Sequence, residues 1–229
     1  MSILEAIQTT LPKYEVVIPS TGSKTTFRPF LMKEQKVLMM ASDQSEAEIL
    51  KAISAVVENC VDNVKDAKQI PLYDLEYLFC QIRAKSVSEM VEPIFTCPYT
   101  GEKIKVGINL KEIKPNGSPP VGDIVINEKI TIKMRSPTVK DHIQSSGEAF
   151  DVLLSSCIEK IMVDDEVFNG SEMPIDEKLT ILENLTKDQY EKLEDFIYDQ
   201  PSISVEVPYR TTDKVERKIR LEGIRDFFG

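Results

Sequence analysis

One histidine and four cysteines are the scarcest chemistry-bearing side chains in this 229-residue chain. His142 stands in KDHIQSS, at a predicted helix start. A Cys/His zinc site needs several ligands, and a Ser-His-Asp arrangement needs an oriented base. His142 alone supports neither, so a surface or capping role is the simpler reading. Cys60, Cys80 and Cys157 fall in the apolar patterns AVVENCV, EYLFCQI and LLSSCIEKI, as buried reduced thiols would. Cys97 opens the turn Cys97-Pro98-Tyr99-Thr100-Gly101, half of a zinc knuckle in which Thr100 stands where C-x-x-C-G requires a second thiolate. The carboxylates Asp164-Asp165 and Glu191, Glu194-Asp195 could serve acid-base chemistry or bind a cation. Solvated turns and helix faces are the far commoner explanation, and DDEVFNGSE (164–172) lacks the alternating oxygen ligands of a calcium loop. Neither G-x-x-x-x-G-K nor G-x-G-x-x-G occurs. The residues therefore predict no catalytic residue, no cofactor and no metal.

The elements that would position these side chains can be read from patterning. The hairpin YEVVI (14–18) and KTTFR (24–28) flanks a turn containing Gly22. Helical periodicity follows over 31–42 and again over 45–61. In the latter, Ile49, Leu50, Ile53, Val56, Val57 and Cys60 share a face and Ser45 is the expected cap. PLYDLEYLFCQIRAKS (71–86) is a third helix, and 91–97 with 103–110 form a β-like pair. KPNGSPP is the one Pro- and Gly-rich break. Strands are expected near 123–126 and 130–135, then a short helix after Pro137-Thr138. Helices are expected over 148–163, over 175–185, and from the Thr186 cap to Pro201, before final strands near 203–208 and 215–221.

The chain also repeats itself. VEPIFTCPYTGEKIKVGINLKEI (91–113) and SISVEVPYRTTDKVERKIRLEGI (202–224) each reach a Pro-Tyr pair, cross a polar turn and end in Leu-x-x-Ile. VVIPSTGSKTTFRPFLMKE (16–34) is echoed by IVINEKITIKMRSPTVKD (124–141), each closing on Arg-Pro or Arg-Ser-Pro and then a Lys-acid pair. The expected architecture is α+β, with two similar halves that each read hairpin, helices, hairpin, consistent with an internal duplication. The expected boundaries are an N-terminal half over 1–113, a linker over 114–121 and a C-terminal half over 122–229.

Net charge of −10 and a pI near 4.8 argue against nucleic-acid binding, which depends on Lys and Arg neutralising phosphates. An acidic surface keeps such a chain soluble whether or not it meets a partner. No apolar run is long enough for a membrane span. MSILEAIQTTLPKYE lacks the basic and apolar regions of a secretory signal, so residence in the cytoplasm is expected unless the chain leaves in a larger particle.

Four segments taken in order, LPKYEVVIPSTGSKTTFRPFLMKEQKVLMMA (11–41), PLYDLEYLFCQIRAKSVSE (71–89), IFTCPYTGEKIKVGINL (94–110) and LEGIRDFFG (221–229), resemble the baseplate hub subunit and tail assembly family of T-even-type contractile-tailed bacteriophages. The resemblance implies a non-enzymatic late protein that helps build the baseplate hub through protein–protein contacts. It implies other hub proteins as partners, the tape-measure protein among the candidates, and a location in the host cytoplasm during assembly and in the virion tail baseplate. Two other readings stand beside it. One is a tail assembly chaperone absent from the mature virion; the other is a degenerate zinc-ribbon regulator, which Cys97 standing alone and the negative charge oppose. Candidate partner contacts are Ile224, Phe227 and Phe228, because adjacent aromatics on a strand cannot both point inward, together with Arg83 and Lys85. Internal pairing of Arg83 and Lys85 with Asp74 or Glu76 is the alternative for the two cations.

Overall fold

A computed structural model describes residues 10–228; the reading of MSILEAIQT as lacking a signal falls outside them. The described residues open with the hairpin β1 (Tyr14–Val17) and β2 (Lys24–Phe27), then helices α1 (Met32–Ala41), α2 (Glu46–Cys60) and α3 (Leu72–Ser86). Short strands follow: β3 (Met90–Val91), β4 (Ile94–Thr96), β5 (Lys103–Lys105), β6 (Ile108–Asn109), β7 (Pro115–Asn116) and β8 (Asp123–Val125). Next come β9 (Ile130–Met134), α4 (Val139–Ser145), α5 (Phe150–Ser156), β10 (Ile158–Val163) and β11 (Glu166–Asn169). The order ends with α6 (Ile175–Glu183), α7 (Lys187–Tyr198), β12 (Ser202–Arg210), β13 (Glu216–Glu222) and α8 (Gly223–Phe228). Strands pair antiparallel throughout, and the fold is α+β.

The chain folds into two compact units that do not follow the boundaries at 114–121. The first contains the described residues up to Ala67, Tyr73–Asn116 and everything from Ser202 on; the second contains Lys68–Leu72 and Gly117–Pro201. The physical reason is a short ladder. Pro115 and Asn116 pair with Ile203 and Ser202, and the Asn116 amide donates to the carbonyl and hydroxyl of Ser204, both at 2.8 Å. That ladder joins β12–β13 to the first unit, where Ile203 and Leu221 are buried in one cluster with Leu110, Cys80 and Phe227. The two Pro-Tyr hairpins are thus parts of a single core instead of the ends of two halves. Their registers also differ: Pro98 lies in the turn between β4 and β5, whereas Pro208 lies within β12 opposite Lys218.

The second unit is a four-stranded sheet, ordered β11-β10-β9-β8, with helices on one face. Ile132 and Ile161, register partners on β9 and β10, share its core with Leu154, Leu193 and Phe196. The run 148–163, expected to be one helix, breaks at Cys157. Ile158–Val163 becomes β10 because β9 offers a complete ladder, and a short apolar run satisfies helical and strand periodicity alike. Asp164-Asp165 form the turn into β11, with Asp164 in the left-handed region at φ 51°.

The second echo is visible as one local arrangement occurring in each unit. Phe27 bridges to Val61, and Met134 pairs with Ile158. The Arg28 N–H donates to the Cys60 carbonyl and the Arg135 N–H to the Cys157 carbonyl, both at 2.9 Å. Arg28 holds Glu34 at 3.0 Å, and Arg135 grips both oxygens of Asp141 at 2.6 and 3.0 Å. Each acid also accepts, at 2.8 Å, from the backbone N–H three residues before it, at Leu31 and Thr138. One carboxylate thereby caps a helix and neutralises the arginine that ends a hairpin. Burial opposes the charge on Glu34 and Asp141, yet the arginine and cap hydrogen bonds hold both pKa values below the ordinary range.

A depressed carboxylate pKa contributes stability that is present above the unfolded value and lost as pH falls through the folded one. Arg135→Ala is therefore expected to destabilise the second unit by roughly 2 kcal/mol at neutral pH, allowing for the partial exposure of the arginine. The deficit should shrink as pH falls through the ordinary aspartate range, where the carboxylate of the unfolded chain and of the variant takes up its proton before native Asp141 does. Urea unfolding followed by circular dichroism measures it, since the chain has no tryptophan.

Candidate functional site

Helix α3 carries two of the candidate contact residues and brings one of them, Arg83, to the chain's last helix. Leu75, Leu78 and Ile82 are its buried ridge, and Arg83 and Lys85 follow in its last turn, where cations oppose the negative end of the helix dipole. The chain leaves β13 and turns into α8 at Gly223. This position has φ 71°, and a Cβ there would sit 2.8 Å from Glu76 Oε1. Only glycine suits such a site. The Ile224 N–H donates to Glu76 Oε1 at 3.2 Å, and the Glu222 N–H donates to Asp226 at 2.8 Å.

The tail residues form a helix and not a strand, which changes what two adjacent aromatics can do. Phe227 is 2% exposed and lies in the core, and Ile224 is buried as well. Phe228, a helical step further round, is half-buried with its ring edge-on to Phe79 at 5.5 Å. The Arg83 guanidinium lies 5.7 Å from the centre of the Phe228 ring, a cation–π contact. Its Nη1 is buried with no hydrogen-bond partner among the described residues, and burial lowers the Arg83 pKa. Lys85 pairs with Glu89 at 3.1 Å and sits 5.1 Å from the centre of the Tyr14 ring. Neither cation pairs with Asp74 or Glu76: buried Asp74 accepts from the Ser20 N–H at 3.0 Å and from the Ser20 hydroxyl, while Glu76 caps α8.

A second cluster forms where the two Pro-Tyr hairpins meet. The Tyr209 hydroxyl lies 3.4 Å from Cys97 Sγ, and the Phe95 ring stands edge-on to Tyr209 at 4.9 Å. Glu102 accepts from the Thr212 hydroxyl at 2.7 Å, while Arg217 binds Asp213 at 2.6 Å and stacks 5.2 Å from the Tyr99 ring centre. The knuckle-like turn closes through a Gly101 N–H to Cys97 carbonyl bond of 2.9 Å, with Gly101 at φ 73°. Burial resists a charge on Cys97, but donors from Thr100, Tyr209 and the Tyr99 backbone draw its pKa down to about 7. A phenol from the second hairpin thus faces the sulfur. No group of three or more His, Cys, Asp or Glu among the described residues could hold a metal ion. Nor is any described helix long and apolar enough to cross a membrane.

Sequence patterning had marked the Leu-x-x-Ile endings, the Lys-acid echo after Arg-Pro or Arg-Ser-Pro, Tyr209 in its Pro-Tyr pair and Glu76 as an alternative partner for Arg83 and Lys85, but it gave no signal for the contacts that Glu76 and Tyr209 make. Each acts on a residue more than 100 positions away, Ile224 and Cys97 respectively. What ion pairs, caps and ring contacts build here is a braced scaffold, and comparison assigns it to the base plate proteins of bacteriophages. A family model described as T4 bacteriophage base plate protein matches residues 11–229, and the chain belongs to that family. No curated protein and no solved structure matches the chain.

Burial pushes Glu76 up to a pKa of about 7, with the Ile224 N–H lowering it and the nearby Glu222 and Glu46 raising it further. For an acid whose pKa is raised on folding, the folded state binds the proton more tightly. Its contribution therefore falls as pH climbs from about 4.5 to 7 and is level above that. Glu76→Gln should remove this decline, worth roughly 1–3 kcal/mol, in urea titrations spanning that interval.

Proposed function

We propose that this baseplate protein acts in assembly of the baseplate hub, through contacts with other hub proteins. The observation that carries the reading is a base plate family match running from residue 11 to 229, which takes in residues of both compact units. The braced character of the first unit supports it, since a rigid surface loses little conformational freedom on docking. Phe228 and Arg83, which keep partial exposure at the α3–α8 junction, and partly exposed Lys85, against Glu89 and Tyr14, are the proposed contact residues. Ile224 and Phe227 hold α8 in place beneath them. No catalytic role is proposed.

Co-expression with the hub and tape-measure proteins tests the reading. The chain is expected to co-purify with at least one hub protein. Phe228→Ser should weaken that recovery at least tenfold while leaving the circular dichroism spectrum unchanged. Deletion of the gene should arrest tails before tube growth, seen by electron microscopy. A chain that neither co-purifies nor alters tail formation when deleted would sink the proposal. Stoichiometric presence in purified virions, read by mass spectrometry, distinguishes a structural subunit from an assembly chaperone.

A further inference from the structure

Helix α8 is fastened to α3 at both of its ends, by an acid at its start and a cation at its finish. At the start the Ile224 N–H donates to Glu76 Oε1 at 3.2 Å. At the finish the Phe228 ring stands edge-on to Phe79 at 5.5 Å and lies 5.7 Å from the Arg83 guanidinium. Glu76 and Arg83 are seven residues apart on α3, two helical turns, so α8 runs alongside that stretch. Between the fastenings Ile224 and Phe227 are buried.

The fastening at the start differs from those of the other enclosed acids. Glu34 and Asp141 each meet an arginine, and Asp74 takes two hydrogen bonds from Ser20. Glu76 forms no ion pair among the described residues and accepts from the Ile224 N–H alone. The groups facing it from the elements packed around it are two acids and a thiol. They are Glu46 at the start of α2, Glu222 at the end of β13 and Cys80 one turn along α3. Burial and Glu76 together raise the pKa of Cys80, which keeps that thiol neutral. On α8 itself Asp226 accepts from the Glu222 N–H, and exposed Arg225 makes no ion pair with any of these acids. A neutral carboxyl satisfies such a site through its carbonyl oxygen, whereas a carboxylate adds a third negative charge with no countercharge. The backbone offers a way to relieve it. Gly223, at φ 71°, joins β13 to α8, and a helix of six residues holds its shape only while it is packed.

We propose that α8 is a proton-controlled latch, held on α3 by the neutral Glu76 carboxyl and loosened about Gly223 when that carboxyl ionises. Opening frees Phe228 from Phe79 and Arg83 and uncovers Phe227. The raised pKa of Glu76, about 7, sets the response near neutrality. The closed latch binds the proton more tightly than the open one. The opening constant therefore grows about tenfold per pH unit between the two pKa values and is level above the higher. Because α8 carries Phe228, the latch bears on the proposed docking role, but it does not depend on that role.

Amide hydrogen exchange of the full chain, read by nuclear magnetic resonance from about pH 5.5 to about pH 8.5, tests the latch. After correction for the intrinsic pH dependence of exchange, the opening constants of the Phe227 and Phe228 amides should rise roughly thirtyfold and level off above neutrality. They should exceed those of Val56 and Val57 in the α2 core, because α8 opens without the unit unfolding. Glu76→Gln keeps an acceptor oxygen for Ile224 but cannot ionise, and should flatten the profile. Glu46→Gln, an exposed change on another helix, removes one facing charge and should reduce the rise. A flat profile in the native chain, a rise that survives Glu76→Gln, or opening constants equal to those of Val56 and Val57 would each overturn the latch. The pH profile found as expected, with Phe228→Ser leaving recovery of hub proteins unchanged, would overturn Phe228 as a contact and leave the latch standing.

Discussion

A carboxylate buried at the start of a helix is the constraint on which much of this structure depends. Glu34 and Asp141 are 4% and 5% exposed, and an ionised acid so placed needs both a countercharge and hydrogen bonds. Arg28 and Arg135 supply the charge, and the cap N–H groups of Leu31 and Thr138 supply donors. Satisfying the acid therefore fixes the angle between a hairpin and the helix after it. The same arginines bond through their backbone N–H to the carbonyls of Cys60 and Cys157, which anchors the chain returning from the next helix. Three elements are set by one ion pair in each unit.

The first unit adds a different kind of bracing. Its core draws on β-segments separated by about a hundred residues, and the contacts that join them are specific: Tyr209 on Cys97, Glu102 on Thr212, Glu76 on Ile224. Such long-range closure places the chain's end, α8, against the middle of its sequence at α3. The consequence is an α3–α8 junction in which the Arg83 guanidinium and the Phe228 ring are held against each other.

Much of the fold was legible in the sequence. The β1–β2 hairpin, the Ser45 cap with the apolar face of α2, and the Thr186–Gln189 capping box all appear where local rules put them. They are legible because each depends on residues a few positions apart. The candidate contact residues were half legible. Arg83, Phe227 and Phe228 do gather, but a strand was expected where Gly223 starts a helix, and the partners expected for Arg83 and Lys85 are engaged elsewhere. The run 148–163 went astray for the same reason: its choice between helix and strand belongs to β9.

The sequence by itself determined the α+β class, most helix termini, the echo of an arginine followed by a Lys-acid pair and, through several ordered segments, the resemblance to a phage baseplate family. These follow from short-range periodicity, capping chemistry and residue order. Only the tertiary structure decided that β12–β13 and α8 belong with the N-terminal core, that Cys97 faces Tyr209, and that Glu76 caps α8. Those outcomes are set by which distant segment offers the missing hydrogen-bond partner or apolar surface. No local pattern encodes that choice, because it is a competition among segments that meet only when the chain folds.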